Sequence, residues 1–178
     1  LESIASPQIR HMATLGGNII SHFDFSDTLG FLYLLEPNFE LLNNSGYKTV
    51  SFQELYSPKT KRLTLPEDTL LNAVIFEKSK LTKFDSSLYL KETRVGRDIG
   101  IININCLKHN TKNIFDFAIA AYWLQIECFR NITNFNELLK QTENLPAPKA
   151  DQRATSEYRK KILPYLIEKS IELLEKNG

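Results

Sequence analysis

Ala13-Thr14-Leu15-Gly16-Gly17-Asn18 constrains this chain more than any other stretch, because two of its seven glycines stand side by side between a hydroxyl and a carboxamide. Without Cβ atoms, Gly16 and Gly17 let main-chain N–H groups approach an anion that a side chain would hold off. Thr14 and Asn18 can add hydrogen bonds to the same group. A tight loop between two ordinary elements would use the same residues, so Gly-Gly alone leaves both readings open. Just upstream, Ser6-Pro7-Gln8-Ile9-Arg10 predicts a short helix with Ser6 as N-cap and Pro7 at the first position.

Beyond the glycine pair, apolar spacing and turn signals predict a mixed order of elements. Ser26 or Asp27 can cap a helix over 28–35 that is apolar nearly throughout, hence buried, and that Glu36-Pro37 stops. Runs 39–42 and 47–51 flank Asn43-Asn44-Ser45-Gly46, a hairpin signal, and Ser51 and Glu54 have capping-box spacing. Ser57 to Arg62 is a polar basic loop, and Thr69 to Phe76 reads as a strand. The charged stretch Lys78 to Lys83 is the best internal boundary and divides the chain into 1–80 and 81–178. After it, Ser87 to Lys91 and Ile99 to Asn105 read as strands, the second alternating Ile and Asn across two faces. Asn110 to Asn113 is a turn, and Ile114 to Phe129 suits a buried strand or a helix equally well. Asn144 to Pro148 is an extended linker. Thr155 to Lys176 is helical, with Tyr158, Ile162, Leu166, Ile167, Ile171 and Leu174 along its apolar side and Pro164 placed to kink or split it.

Composition narrows the functions open to such a chain. With 22 Lys and Arg against 21 Asp and Glu, the net charge of +1 gives no electrostatic case for nucleic acid. No apolar run approaches the length of a membrane span. Cys106 and Cys128 have no Cys or His at metal-ligand spacing and read as buried or free thiols of a reducing cytoplasm, while His11, His22 and His109 are unpaired by spacing. A content of 42% hydrophobic residues over 178 positions can bury a real core. The only methionine, Met12, lies inside the glycine motif, so the expectation is that the numbered chain is part of a longer polypeptide.

Read whole, Ser6 to Ile20 resembles the flavin-contacting segment of the FAD-binding (medium) subunit of molybdenum hydroxylases, the xanthine dehydrogenase and aerobic carbon monoxide dehydrogenase flavoproteins. The family pattern is close to S-x-x-I-R-x-x-A-T-hydrophobic-G-G-N, and Ser6, Ile9, Arg10, Ala13, Thr14, Leu15, Gly16, Gly17 and Asn18 occupy its fixed positions. Ser26-Asp27 matches a Ser-Asp pair that contacts the nucleotide, although the proline usual two positions earlier is Asp24 here, which sets a carboxylate near a dianionic pyrophosphate. Leu70-Leu71 matches an apolar pair beside the cofactor, and Lys91 matches the lysine of an aromatic-x-K pattern. Arg94 to Ile99 keeps the family's aspartate and one arginine without the adjacent arginine pair. Asp151-Gln152-Arg153-Ala154-Thr155-Ser156-Glu157-Tyr158-Arg159 resembles the D-x-R-A-S-x-x-Y-R signature that starts a packing helix. Between 113 and 145 the likeness fades, and Ala120-Ala121-Tyr122-Trp123 replaces a glycine-rich turn.

The resemblance implies an α+β chain. Its second FAD-binding subdomain, a mixed or antiparallel sheet with helices over 1–80, precedes a small C-terminal domain of three antiparallel strands and a helical bundle over 81–178. It implies FAD as cofactor, contacted by Ala13, Thr14, Gly16, Gly17, Asn18, Ile20, Ser26, Asp27, Leu70 and Lys91, the last placed to stabilise negative charge as flavin is reduced. It implies partner subunits carrying molybdopterin and [2Fe-2S] clusters, with electrons passing onward to NAD+ or another acceptor in the cytoplasm. The family's first subdomain brings its own glycine-rich pyrophosphate loop, and none occurs within 1–178. The expectation is that this stretch alone holds FAD weakly or not at all, since half the contacts must offset the whole cost of fixing the ligand. The alternative reading is a degenerate scaffold of the same fold that binds partners and no flavin.

Overall fold

The computed structural model describes residues 4–96, 98–110 and 113–176. The chain opens with two short helices, α1 (Pro7–Met12) and α2 (Leu15–Ser21), followed by α3 (Leu29–Leu35). Then come β1 (Asn38–Asn43), β2 (Gly46–Val50), α4 (Phe52–Leu55), β3 (Tyr56–Ser57), β4 (Arg62–Leu63), β5 (Leu70–Ile75) and α5 (Lys78–Leu81). The second half runs β6 (Phe84–Glu92), β7 (Ile102–His109), β8 (Phe115–Ala120), β9 (Glu127–Ile132), α6 (Phe135–Glu143) and α7 (Ser156–Lys176).

Local chemistry explains most of the first half. Ser6 caps α1 with Pro7 at its first turn, and Ser51 and Glu54 form the expected reciprocal capping box of α4. The β1–β2 hairpin turns through Gly46 at φ 105°, a conformation that L side chains rarely adopt. Antiparallel pairing continues from β1 to β5, giving a three-stranded sheet in the order β2-β1-β5, with β3 and β4 as a separate two-stranded ribbon.

A four-stranded antiparallel sheet, β6-β7-β8-β9, dominates the second half. The resemblance implied three strands. The extra one arises because Ile114 to Phe129, ambiguous as a sequence, divides at the bend 121–126 into β8 and the start of β9. The sheet is covered on both faces, which is why β8 is buried at every position. Ile102, Ile104, Cys106, Phe115, Phe117 and Ile119 point to one face, against Leu138 of α6 and Leu163, Leu166 and Ile167 of α7. The alternate residues Leu107, Ala118 and Ala120 meet the other core, built from Leu29, Leu32, Tyr33, Phe39 and Phe52. Small residues on that face let α3 lie close to the strands. No helix among the described residues is long and apolar enough to cross a membrane.

Of the two outcomes expected for α7 at Pro164, a kink or a split, the split does not occur. The helix remains one element across Pro164, because Leu163, Leu166 and Ile167 pack on both sides of the proline, and such burial outweighs the roughly 3 kcal/mol that proline costs inside a helix. Of its expected apolar side, Ile162, Leu166, Ile167, Ile171 and Leu174 pack on the core and only the first position differs. Tyr158 is exposed, whereas Arg159 is fully buried, donating to the carbonyls of Ile101, Lys149 and Ala154 and to both oxygens of Asp151. Burial alone would raise the Asp151 carboxyl. The amides of Arg153 and Ala154 and the Arg159 guanidinium outweigh that and hold it down at about 2. Because the folded value lies below the unfolded one of 3.8, this carboxylate contributes stability above pH 4 that is lost as the pH falls through about 2. Urea midpoints between pH 5 and pH 2 are expected to fall steeply in the wild type and less in Asp151→Asn, which starts lower; parallel curves would refute this.

Candidate functional site

Gly16 and Gly17 sit in a helix, the first turn of α2, and not in the loop that their pairing suggested. Thr14 makes this possible as N-cap, its Oγ1 accepting the Gly17 N–H at 3.0 Å, and Ile19, 3% exposed, anchors the turn in the core. A Cβ on Gly17 would lie 3.0 Å from Thr14 Oγ1, so the cap is drawn in to the limit that glycine allows. A Cβ on Gly16 would meet nothing closer than Leu71 Cδ2 at 3.9 Å, which leaves that side of the turn open. First-turn amides have no intrahelical acceptor, so the N–H groups of Leu15 and Gly16 are the donors this turn can offer to a ligand.

Asn18 organises the loop between α2 and α3. Its Oδ1 accepts from Ser26 Oγ at 2.7 Å and from Thr28 Oγ1 at 2.5 Å, closing that loop into a ring. Neither Ser26 nor Asp27 is the N-cap of α3, which is Thr28, but Ser26 Oγ accepts the N–H groups of Thr28 and Leu29 at 3.3 Å just ahead of the helix. Asp27 is thereby released from the capping role open to it in sequence. Its carboxylate points to the sheet, where it accepts from Tyr89 Oη, lies 3.4 Å from Lys91 Nζ, and receives Asn103 Nδ2 at 3.4 Å.

The register explains this convergence. Lys91 pairs with Asn103 across β6 and β7, and Tyr89 pairs with Asn105, so all four side chains share one face of the sheet. Lys91 is only 7% exposed, and burial, reinforced by the adjacent Asp27 carboxylate, pushes the Tyr89 phenol far up, keeping it a hydrogen-bond donor at all accessible pH. Tyr89 and Asn103 were not singled out from sequence. The aromatic-x-Lys and Ile-Asn alternations were the available signals.

The remaining residues lie apart from this cluster. Leu70 is 68% exposed, and it is its neighbour Leu71 that packs toward Gly16. Ala13 is exposed just ahead of α2, and Ile20 is exposed on it. Arg97 lies outside the described residues, as do Thr111 and Lys112 of the turn at 110–113. An apolar cleft of about 240 Å³ opens between Leu15, Phe31 and Phe76, with Asp27, Thr28 and Tyr89 at one end. That is smaller than the roughly 300–1,000 Å³ of typical ligand pockets, so it can take one part of a large cofactor. The departure at Asp24 is also resolved. Its carboxylate is ion-paired with Lys149, from the linker that precedes α7. The two thiols are shielded, burial pushing Cys106 well up and Cys128 to about 12.

Known proteins resemble this chain over part of its sequence and over its fold. The family described as the FAD binding domain in molybdopterin dehydrogenase matches residues 1–77. Aldehyde oxidase 1 of Bos taurus is 30% identical over 103 residues, 58% of this chain and 8% of that protein. Aldehyde oxidase 4 of Rattus norvegicus is 32% identical over 76 residues, 42% of this chain and 6% of that protein. Among solved structures, the reconstituted CO dehydrogenase from Oligotropha carboxidovorans superposes with a TM-score of 0.74 at 19% identity, covering 96% of this chain and 63% of that one. Quinoline 2-oxidoreductase from Pseudomonas putida 86 gives 0.72 at 15% identity, covering 96% and 64%. The chain thus spans under two thirds of those solved chains and under a tenth of the two aldehyde oxidases, and the structural likeness speaks for the fold. Over residues 1–77, under half of its length, this chain is thus similar to the FAD-binding domain family of molybdopterin dehydrogenases.

Proposed function

We propose that this chain is the flavin-holding portion of a molybdenum hydroxylase-type oxidoreductase, assembled with molybdopterin-binding and [2Fe-2S] subunits. The observation that carries the reading is the capped Gly-Gly turn within the family-matched segment, open at Gly16 and ringed by Thr14, Asn18 and Ser26. Bound FAD would supply electron transfer between an iron–sulfur partner and an acceptor such as NAD+.

The residues present fit that cofactor by the chemistry of their donors and acceptors. The α2 amides offer hydrogen bonds to phosphate oxygens. Thr14 and Asn18, engaged as acceptors within the protein, keep a hydroxyl proton and an amide NH2 as further donors. Asp27 supplies an acceptor for hydroxyl groups, and the wall of Leu15, Phe31 and Phe76 offers apolar surface to a ring. Lys91, buried 3.4 Å from Asp27, holds positive charge beside that carboxylate. No general acid–base pair is needed, because this chain binds, orients and electrostatically tunes its cofactor.

The test is an absorption spectrum of the full-length polypeptide after incubation with FAD and desalting. Retained flavin is expected, with residues 1–178 alone retaining little. In Gly17→Ala, where the new methyl crowds the Thr14 cap, FAD affinity is expected to fall at least about tenfold, the worth of one charge-assisted hydrogen bond, while subunit assembly is unchanged. A full-length chain that assembles yet takes up no flavin would instead establish the scaffold reading.

A further inference from the structure

The loop that carries Ser26 and Asp27 is fixed from far along the chain. Ala121 N–H donates to the Asp24 carbonyl at 2.7 Å, Asn103 Nδ2 donates to the Phe25 carbonyl at 3.0 Å, and the Arg153 guanidinium lies 5.0 Å over the Phe25 ring. The Asp24 carboxylate is paired with Lys149, whose side chain is 11% exposed. Lys149 is itself held in place. Its N–H donates to the Tyr122 carbonyl at 3.0 Å, its carbonyl accepts from the buried Arg159 at 2.8 Å, and Asp151 lies 3.9 Å from its ammonium.

This arrangement answers an electrostatic conflict in the sequence. Asp24 precedes Ser26 by two residues, a span of at most about 7 Å, and Ser26 is bonded directly to Asn18 of the glycine turn. An uncompensated carboxylate there would oppose any phosphate bound at the turn, and it would have no reason to keep the loop folded back. Held at low exposure by a single ammonium, the pair is shielded from salt better than a surface pair.

We propose that Lys149 is a positioning residue of the flavin site: it cancels the charge of Asp24 in the loop 22–28, so that Ser26, Asp27 and the glycine turn accept an anionic cofactor. This inference rests on the FAD reading above. It concerns a residue that touches the loop and not the cofactor.

The experiment is a fluorescence titration of the full-length polypeptide with FAD at low and high ionic strength, with thermal midpoints measured in parallel. Lys149→Met is expected to bind about tenfold more weakly at low salt, with the deficit shrinking at high salt as repulsion is screened. Lys149→Arg, which keeps the charge, is expected to stay within about threefold of wild type. The double variant Asp24→Asn with Lys149→Met loses the same ion pair and is nevertheless expected to recover to within about threefold, since the repulsion is gone. A merely structural role would leave both methionine variants equally weak and insensitive to salt, and that result overturns the inference. So does Lys149→Met binding like wild type. A wild-type chain that takes up no FAD overturns the underlying reading and this inference with it, which separates the two failures.

Discussion

Replacing Arg159 with leucine is expected to lower the unfolding free energy by about 3–5 kcal/mol, the range seen when one partner of a buried ion pair is removed. The side chain is fully buried and saturated by three carbonyls and a carboxylate. Leucine fills part of the volume and removes the Arg159 donor from all four acceptors, of which the Ala154 carbonyl keeps the Asp151 N–H and the Asp151 carboxylate keeps Arg153. Lysine keeps the charge but cannot reproduce the planar fork, so Arg159→Lys is expected to recover less than half of the loss. Urea unfolding reads both values directly. A leucine variant within about 1 kcal/mol of wild type would mean that the network contributes no more than a surface ion pair. The consequence reaches the loop that carries Asp24, because Arg159 also holds the carbonyl of Lys149, its ion-pair partner.

Gly30→Ala is expected to cost about 2–3 kcal/mol, at the upper end for overpacking a core. The added Cβ would lie 2.0 Å from Asn105 Nδ2 and 2.5 Å from its Cγ, where α3 crosses β7. Asn105 is fully buried, and the added methyl would also lie 3.1 Å from its Cβ, so rotating the amide does not by itself make room. Asn105→Ala in the same background is expected to restore most of the loss, because the two changes occupy one volume. A double-mutant cycle should give a coupling of about 1–2 kcal/mol. Additive effects would show that α3 can shift on the sheet, against the close approach of Gly30 to Asn105.

Features governed by near neighbours in the chain were legible from residues alone. The Ser6 and Ser51 caps, the hairpin at Gly46 and the buried helix at 29–35 rest on interactions within four residues, and each is present. The alternation of Ile and Asn along β7 correctly separated the strand's two faces, because a period of two needs no knowledge of what covers them. The glycine pair misled on local grounds. Glycine is a poor helix former, and only the Thr14 cap with the anchoring of Ile19 draws it into α2. Residues 114–129 stayed ambiguous because their strand character is decided by pairing with β7, which precedes them across a turn. The inward turn of Arg159 was hidden for a similar reason, since its acceptors come from positions as distant as Ile101. At the candidate site, Thr14, Gly16, Gly17 and Asn18 were readable from the glycine pair and Ser26, Asp27 and Lys91 from the resemblance, whereas Tyr89 and Asn103 emerged only once two strands were in register.

The Asp24–Lys149 pair joins residues 125 positions apart. On a ribosome adding about 5–20 residues per second, roughly 6–25 seconds separate the appearance of these two partners. During that interval the glycine turn, its cap and its serine already exist, while the clamp that gives the loop its final form does not. The loop therefore takes its final form only once Lys149 has been made, well after the glycine motif has emerged.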